Sequence, residues 1–281
     1  FYLVAVFIQL MFTGNLSMKK TLIALAVAAS AVVSGSAMAS GWEQTGSGHP
    51  FEMGGTLTPV VKVSPWEVKT GNAVTNLNAA IQQGQISATV NVQQAIPVLG
   101  IRTRTADTFN GDTGISPQIN YGGAVNVAGF SAGVTTLTLD VTDVNGGKIG
   151  TMSAPFIAGA GVSRDLDHIA YSAYVYENYD VSSFKGGLGV SEEQVFPDLS
   201  TVISRVGALD PEFTANFNNQ NITSGRLWRS PGFDTPDVKY SAFYGAGIES
   251  GSEITLTFNE AASGNNVIAW KASLPVTVTY L

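Results

Sequence analysis

Apolar residues in this chain recur with period two in short runs, and that spacing commits most of it to extended strands, because alternate side chains of a strand share one face. Ile86, Ala88, Val90 and Val92 form one such face, Leu137, Leu139 and Val141 a second, and Ile254, Leu256 and Phe258 a third. Gly, Asn or Pro bounds each run, which is the punctuation of an all-β sandwich or barrel. Asn145-Gly146, between Val141 and Ile149, predicts a tight hairpin. The same alternation appears at both ends. Phe51, Met53 and Leu57 alternate with Glu52, Gly54 and Thr56, and Leu274, Val276, Val278 and Tyr280 alternate with Pro275, Thr277 and Thr279. Two such strands either complete the chain's own domain or serve a subunit that gives one strand to a neighbour and accepts one from another.

The chain contains no cysteine. Met18, the Lys19-Lys20 pair, the apolar run Leu22 to Val33 and Ala37-Met38-Ala39 together read as a secretory signal over residues 18–39, cut before Ser40. Its apolar run is too short to span a bilayer. Residues 1–17 read as an upstream segment without a role. An exported chain without disulfides draws its stability from packing and strand pairing. After the signal, twelve basic residues stand against 21 acidic ones, a net charge of −9. Such a surface repels phosphate backbones and anionic lipid heads, so nucleic acid and stable membrane insertion are not expected.

The texture changes between about residues 160 and 235. Val195, Leu199, Val202, Ile203 and Val206 follow helical spacing, with Pro197 in the first turn and Gly207 beyond the end. Asp210 then caps a short second helix with Pro211 at its first position and Phe213 and Phe217 on one face. This region reads as an elaboration inserted into a β-domain. No internal repeat or Pro-rich linker marks a second domain.

Catalytic and metal chemistries find little support. Gly129-Phe130-Ser131-Ala132-Gly133 matches a nucleophile elbow, but that motif needs a helix after the serine. The next residues, Thr135 to Val141, read as a strand, and only His49 and His168 are present as bases. Asp140, Asp143 and Asn145 lack the spacing of a calcium loop and read as a polar hairpin face. The chain also lacks a zinc ligand set. No enzyme, metal or cofactor is expected.

Three segments together carry a resemblance. Phe51 to Leu57 followed by Trp66-Glu67-Val68-Lys69-Thr70-Gly71, the stretch Tyr244 to Gly251, and the ending Pro275 to Tyr280 resemble major subunits of the kappa-class chaperone/usher fimbriae of enterobacteria. So does the Met-Lys-Lys-Thr start of the signal. Many pilins carry a glycine fourteen residues from the C-terminus, where this chain has Ile268. The resemblance implies an all-β fold, an incomplete immunoglobulin-like sandwich completed by donor-strand exchange, with short α-helices in its inserted region. It implies a donor extension over residues 40–57, with Phe51, Met53 and Leu57 as plugs and Gly55 where the groove is tight, and a pilin domain over residues 58–281. Leu274, Val276, Val278 and Tyr280 then pair first with a periplasmic chaperone. The further partners implied are an outer-membrane usher, identical subunits in a linear homopolymer, and a host carbohydrate or glycoprotein receptor bound in the insert. There Tyr171, Tyr174, Tyr176, Tyr179, Arg226, Trp228 and Arg229 supply flat rings and guanidinium donors suited to sugars. Two other classes remain as alternatives, an outer-membrane β-barrel and a soluble periplasmic carbohydrate-binding sandwich.

Overall fold

In the computed structural model the alternating runs Ile86 to Val92, Leu137 to Val141 and Ile254 to Phe258 fall on strands. The structure describes residues 54–56, 64–166, 168–175, 179–222 and 226–281, and the described residues from 64 onward form one compact unit. Its strands are β1 (Trp66–Thr70), β2 (Ser87–Asn91), β3 (Ile96–Thr103), β4 (Phe109–Asn110), β5 (Pro117–Asn120), β6 (Val134–Thr142), β7 (Lys148–Arg164) and β8 (Ile169–Tyr174). After the helix α1 (Leu199–Leu209) come β9 (Arg226–Arg229), β10 (Lys239–Ile248), β11 (Glu253–Phe258), β12 (Lys271–Ala272) and β13 (Thr277–Tyr280). Among the described residues the fold is all-β with one short α-helix. The main sheet runs β1-β3-β10-β7-β11-β2 and is open at both ends, so it is not a closed barrel.

The 17-residue β7 organises that sheet. Its first half pairs with β6 and β11, and its second half with β10 and β8. Where β7 meets β6 and β11, one sheet face is wet and the alternation is clean. Leu137, Leu139, Val141, Ile254 and Leu256 are buried while Thr136, Thr138, Asp140 and Thr255 are exposed. The expected hairpin closes β6 onto β7, with Gly146 at φ 87° and the Asp143 carboxylate accepting from the Asn145 and Gly147 amides at 2.9 and 2.8 Å. Asp140 pairs with Lys148 at 2.6 Å, so the acidic residues here do form a polar hairpin face.

Further along, β7 and β10 are buried on both faces and the alternation disappears. One face joins the main core with Trp66, Leu99, Ile101, Ile119, Val162 and Tyr244, and the small β5–β13 sheet closes over part of it. The other face receives α1. A row of three paired glycines, Gly100, Gly245 and Gly159, crosses β3, β10 and β7. A Cβ at Gly100 would lie 2.1 Å from the Phe213 ring, one at Gly245 2.2 Å from Val206, and one at Gly159 2.7 Å from Phe196. The trough left by the missing side chains seats the helix and its neighbours.

The helix differs from its expected bounds. It starts at Leu199, where the Asp198 side chain accepts from the Thr201 amide at 2.8 Å, and it runs through Gly207 to Leu209. Leu199, Val202, Val206 and Leu209 are buried, but Ile203 is 37% exposed, and Val195 is buried outside the helix. Pro197 precedes the cap. The expected second helix is a three-residue 3-10 turn, Pro211–Phe213, which Asp210 caps through the Glu212 amide at 2.9 Å. Lys69 clips this turn to β1, reaching Asp210 and Glu212 at 2.7 Å each.

Candidate assembly site

The C-terminal strand pairs antiparallel with β5, Thr277 opposite Asn120 and Tyr280 opposite Pro117. Just beyond, Ser116 and Leu281 exchange both main-chain bonds, at 3.0 and 3.1 Å. Since bonded and non-bonded pairs alternate along an antiparallel ladder, Thr279 and Thr277 also bond to β5, while the N–H and C=O groups of Tyr280, Val278 and Val276 point to the opposite edge. On β5 the complementary groups turn away likewise, Ile119 donating to the Lys185 carbonyl at 2.9 Å and the Pro117 carbonyl accepting from Phe184 at 2.6 Å. Among the described residues, β5 is the one strand partner of β13.

Side chains on β13 follow the expected alternation but are only half-buried. Leu274, Val276, Val278 and Tyr280 pack against the main core, and Pro275, Thr277 and Thr279 are exposed. An apolar stripe that is half-covered beside an outward-facing main chain is an edge able to take another strand. Burial raises the Tyr280 phenol above its ordinary pKa, against a smaller lowering from its bond to Ser64. That bond ties the end of β13 to the residues just ahead of β1. There a second edge begins. The Arg104 amide bonds to the Pro65 carbonyl and the Gly71 amide to the Val98 carbonyl, so residues 65, 67, 69 and 71 bond to β3, and the main chain of Trp66, Val68 and Thr70 faces outward. Val68 is 43% exposed. This edge has no signature in the sequence, because which side of β1 stays open depends on where β3 lies.

Of the donor residues, Phe51, Met53 and Leu57 lie outside the described residues. Gly55 is exposed, and a Cβ there would meet nothing within 4 Å, so no described neighbour requires a glycine at that position. Ile268 is 38% exposed in the connection before β12.

The aromatic cluster of the insert is partly assembled. β8 and β9 pair in parallel, setting Tyr171 opposite Arg226, Ala173 opposite Trp228 and Tyr174 opposite Arg229. Trp228 is 38% exposed, Arg229 is exposed, and Tyr174 is half-buried. Tyr179 is 39% exposed and its hydroxyl donates to Asp234 at 2.9 Å. Burial, then that acidic partner, raises its phenol pKa. Tyr171 corrects the expectation, because it is fully buried in the main core and supports β8 from within. Tyr176 lies outside the described residues, and Arg226 is described only through its strand pairing. Sequence reasoning misses Asp234, since a lone acidic residue carries no signal until its partner is known.

Elsewhere, Ser131 belongs to a tight turn. Its amide and carbonyl bond to Val134 at 2.8 and 2.9 Å around Ala132 and Gly133, both at positive φ, and the chain passes directly into β6. A strand, not a helix, comes after this serine, as the sequence implies.

Comparison with known proteins gives one consistent answer. Residues 18–281 match the family described as fimbrial, major and minor subunit. The chain is 28% identical to the F41 fimbrial protein of Escherichia coli, and 30% and 27% identical to the K88 fimbrial proteins AC and AD of the same organism. Each of these alignments covers 94% of this chain and the whole of the relative.

Proposed function

Because this chain belongs to the family of fimbrial major and minor subunits, and is thereby a structural subunit that polymerises into surface fimbriae, we infer that its polymer is built by donor-strand exchange. The observation that carries this reading is the half-buried stripe Leu274, Val276, Val278 and Tyr280 beside the outward main chain of β13. In the fibre, a neighbour's residues 40–57 lie along that edge. The N–H and C=O groups of Val276, Val278 and Tyr280 complete a ladder with the incoming strand, and its Phe51, Met53 and Leu57 cover the stripe. Each large apolar plug stabilises by about 1.5–3 kcal/mol when fully buried, and each ladder bond by about 0.5–1.5 kcal/mol net. Three plugs and several bonds reach on the order of 10 kcal/mol, which is comparable to the stability of a whole domain. Folding and polymerisation are then one thermodynamic event.

Before polymerisation a periplasmic chaperone covers the same edge, and exchange takes place at an outer-membrane usher. Deleting residues 40–57 tests the scheme directly. The truncated subunit is expected to co-purify with its chaperone and to stay out of fibres; normal incorporation refutes the assignment.

The insert contributes adhesion to a host glycan. Trp228 offers an exposed ring, Arg229 a guanidinium, and Tyr174 and the Tyr179–Asp234 pair further contacts. Tyr171 has no place in that surface. Binding of purified fibres to a glycan array, lost on Trp228→Ala but with assembly intact, tests this part separately.

A further inference from the structure

Two Asn-Gly pairs occur in this chain, Asn110-Gly111 and Asn145-Gly146, and the fold treats them oppositely. We propose that Asn145 is a site of spontaneous, non-enzymatic deamidation, whereas Asn110 is protected. The chemistry needs the amide nitrogen of the following residue to swing onto the asparagine Cγ, and glycine permits this because no Cβ obstructs the approach.

Asn145 and Gly146 are both exposed at the tip of the β6–β7 hairpin, next to Val144, which is 81% exposed. A Cβ on Gly146 would meet nothing within 4 Å, so the main chain has room to rotate. The Gly146 amide donates only a long bond, 3.2 Å, to the Asp143 carbonyl, and the Asn145 side-chain amide has no hydrogen-bond partner among the described residues. Asn110 is exposed as well, but its main chain is held otherwise. It sits in β4, paired with Lys239 of β10, and the Gly111 amide donates to the Val238 carbonyl at 3.0 Å. A Cβ on Gly111 would stand 2.1 Å from the Thr235 carbonyl oxygen, so the main chain there is closely packed.

At Asn145 the deprotonated Gly146 nitrogen attacks Cγ, a new C–N bond forms, and the Cγ–Nδ2 bond breaks with release of ammonia. The product is a five-membered succinimide. Water then opens it at one of its two carbonyls, giving aspartate or, when the main-chain carbonyl is attacked, isoaspartate. No oxidant or reductant is needed. Either product adds one negative charge beside Asp143, whose carboxylate holds the turn through the Asn145 and Gly147 amides. Isoaspartate also lengthens the main chain within that turn, so the hairpin loosens. Ageing subunits thus become more acidic at one defined position.

The test is peptide mapping of the intact folded protein after extended incubation in mildly alkaline buffer, with an isoaspartyl methyltransferase assay to identify the isomer. A parallel sample unfolded in denaturant provides the unprotected rate at both sites. In the folded protein, conversion at Asn145 is expected to exceed that at Asn110 by at least about tenfold, because a strand amide must first open locally before it can react. In the unfolded sample the two sites should convert at similar rates. Equal conversion at both sites in the folded protein, or protection of Asn145 to the level of Asn110, overturns the proposal.

Discussion

Replacing Gly245 with alanine puts the packing of the insert to a quantitative test. Gly245 lies in mid-strand on β10, opposite Gly100 on one side and Gly159 on the other, with its φ outside the left-handed region. An alanine there costs no backbone strain, so its effect on the folded state is one of space. The new Cβ would stand 2.2 Å from Val206 Cγ1 and 3.0 Å from Phe213 Cδ2. Val206 is fully buried in α1 and Phe213 nearly so, and neither can turn aside without disturbing the layer between helix and sheet. Overpacking of this kind costs about 1–3 kcal/mol, and alanine recovers about 0.5–1 kcal/mol over glycine through lower chain entropy in the unfolded state. The net loss therefore lies between about 0 and 2.5 kcal/mol, with a central value of about 1 kcal/mol, or about 2–4 °C in Tm for a domain of this size. Thermal and urea unfolding of the purified subunit measure it. Val206→Ala alone is also destabilising, because it leaves a cavity, but the two changes combined should cost at least about 0.5 kcal/mol less than their sum. A Gly245→Ala subunit more stable than the parent, or a strictly additive double variant, refutes the argument that the glycine row exists to seat the helix.

Four further outcomes are expected. Asp198→Ala removes the α1 cap and should lower stability by about 1 kcal/mol in urea unfolding, with the loss confined to α1 in hydrogen exchange. Asp198 is held below its ordinary pKa by the Ser200 hydroxyl and the Thr201 groups; at Asp210 burial pushes upward but is outweighed by Lys69 and the Glu212 amide. With folded values below unfolded ones, both contributions are complete above the ordinary aspartate value of 3.8 and fade only as pH falls below it. Circular dichroism of α1 should therefore hold through mild acid, and a loss near neutral pH contradicts this assignment. Val278→Asp places a charge in the half-buried stripe and should abolish both chaperone co-purification and fibres; intact fibres would count against β13 as the acceptor edge. Trp228→Ala should leave fibre yield unchanged and reduce glycan binding, and undiminished binding removes this ring from the adhesive surface.

The legible part of this fold is the part governed by a local period. Leu137, Leu139 and Val141, or Ile254 and Leu256, announce their strand and its inner face because one side of the sheet there is wet, so polar and apolar residues must alternate. The stripe from Leu274 to Tyr280 is readable for the same reason. Across the second half of β7 and along β10 both faces are covered, burial no longer alternates, and the run from Phe156 to Val162 marks no inner face. Tyr171 misleads on that account, since an aromatic residue in the insert looks available until a second layer covers it.

The sequence alone is sufficient for the strand-rich character, the Asp210–Pro211 cap and the apolar face from Leu274 to Tyr280, all of which depend on spacing and on neighbours a few residues away. The tertiary structure decides which edges stay open, why Gly100, Gly245 and Gly159 are small, and that Trp228 rather than Tyr171 meets solvent. Those outcomes depend on which distant segment packs against which face, and pairings between strands remote along the chain leave no periodic trace in the order of the residues.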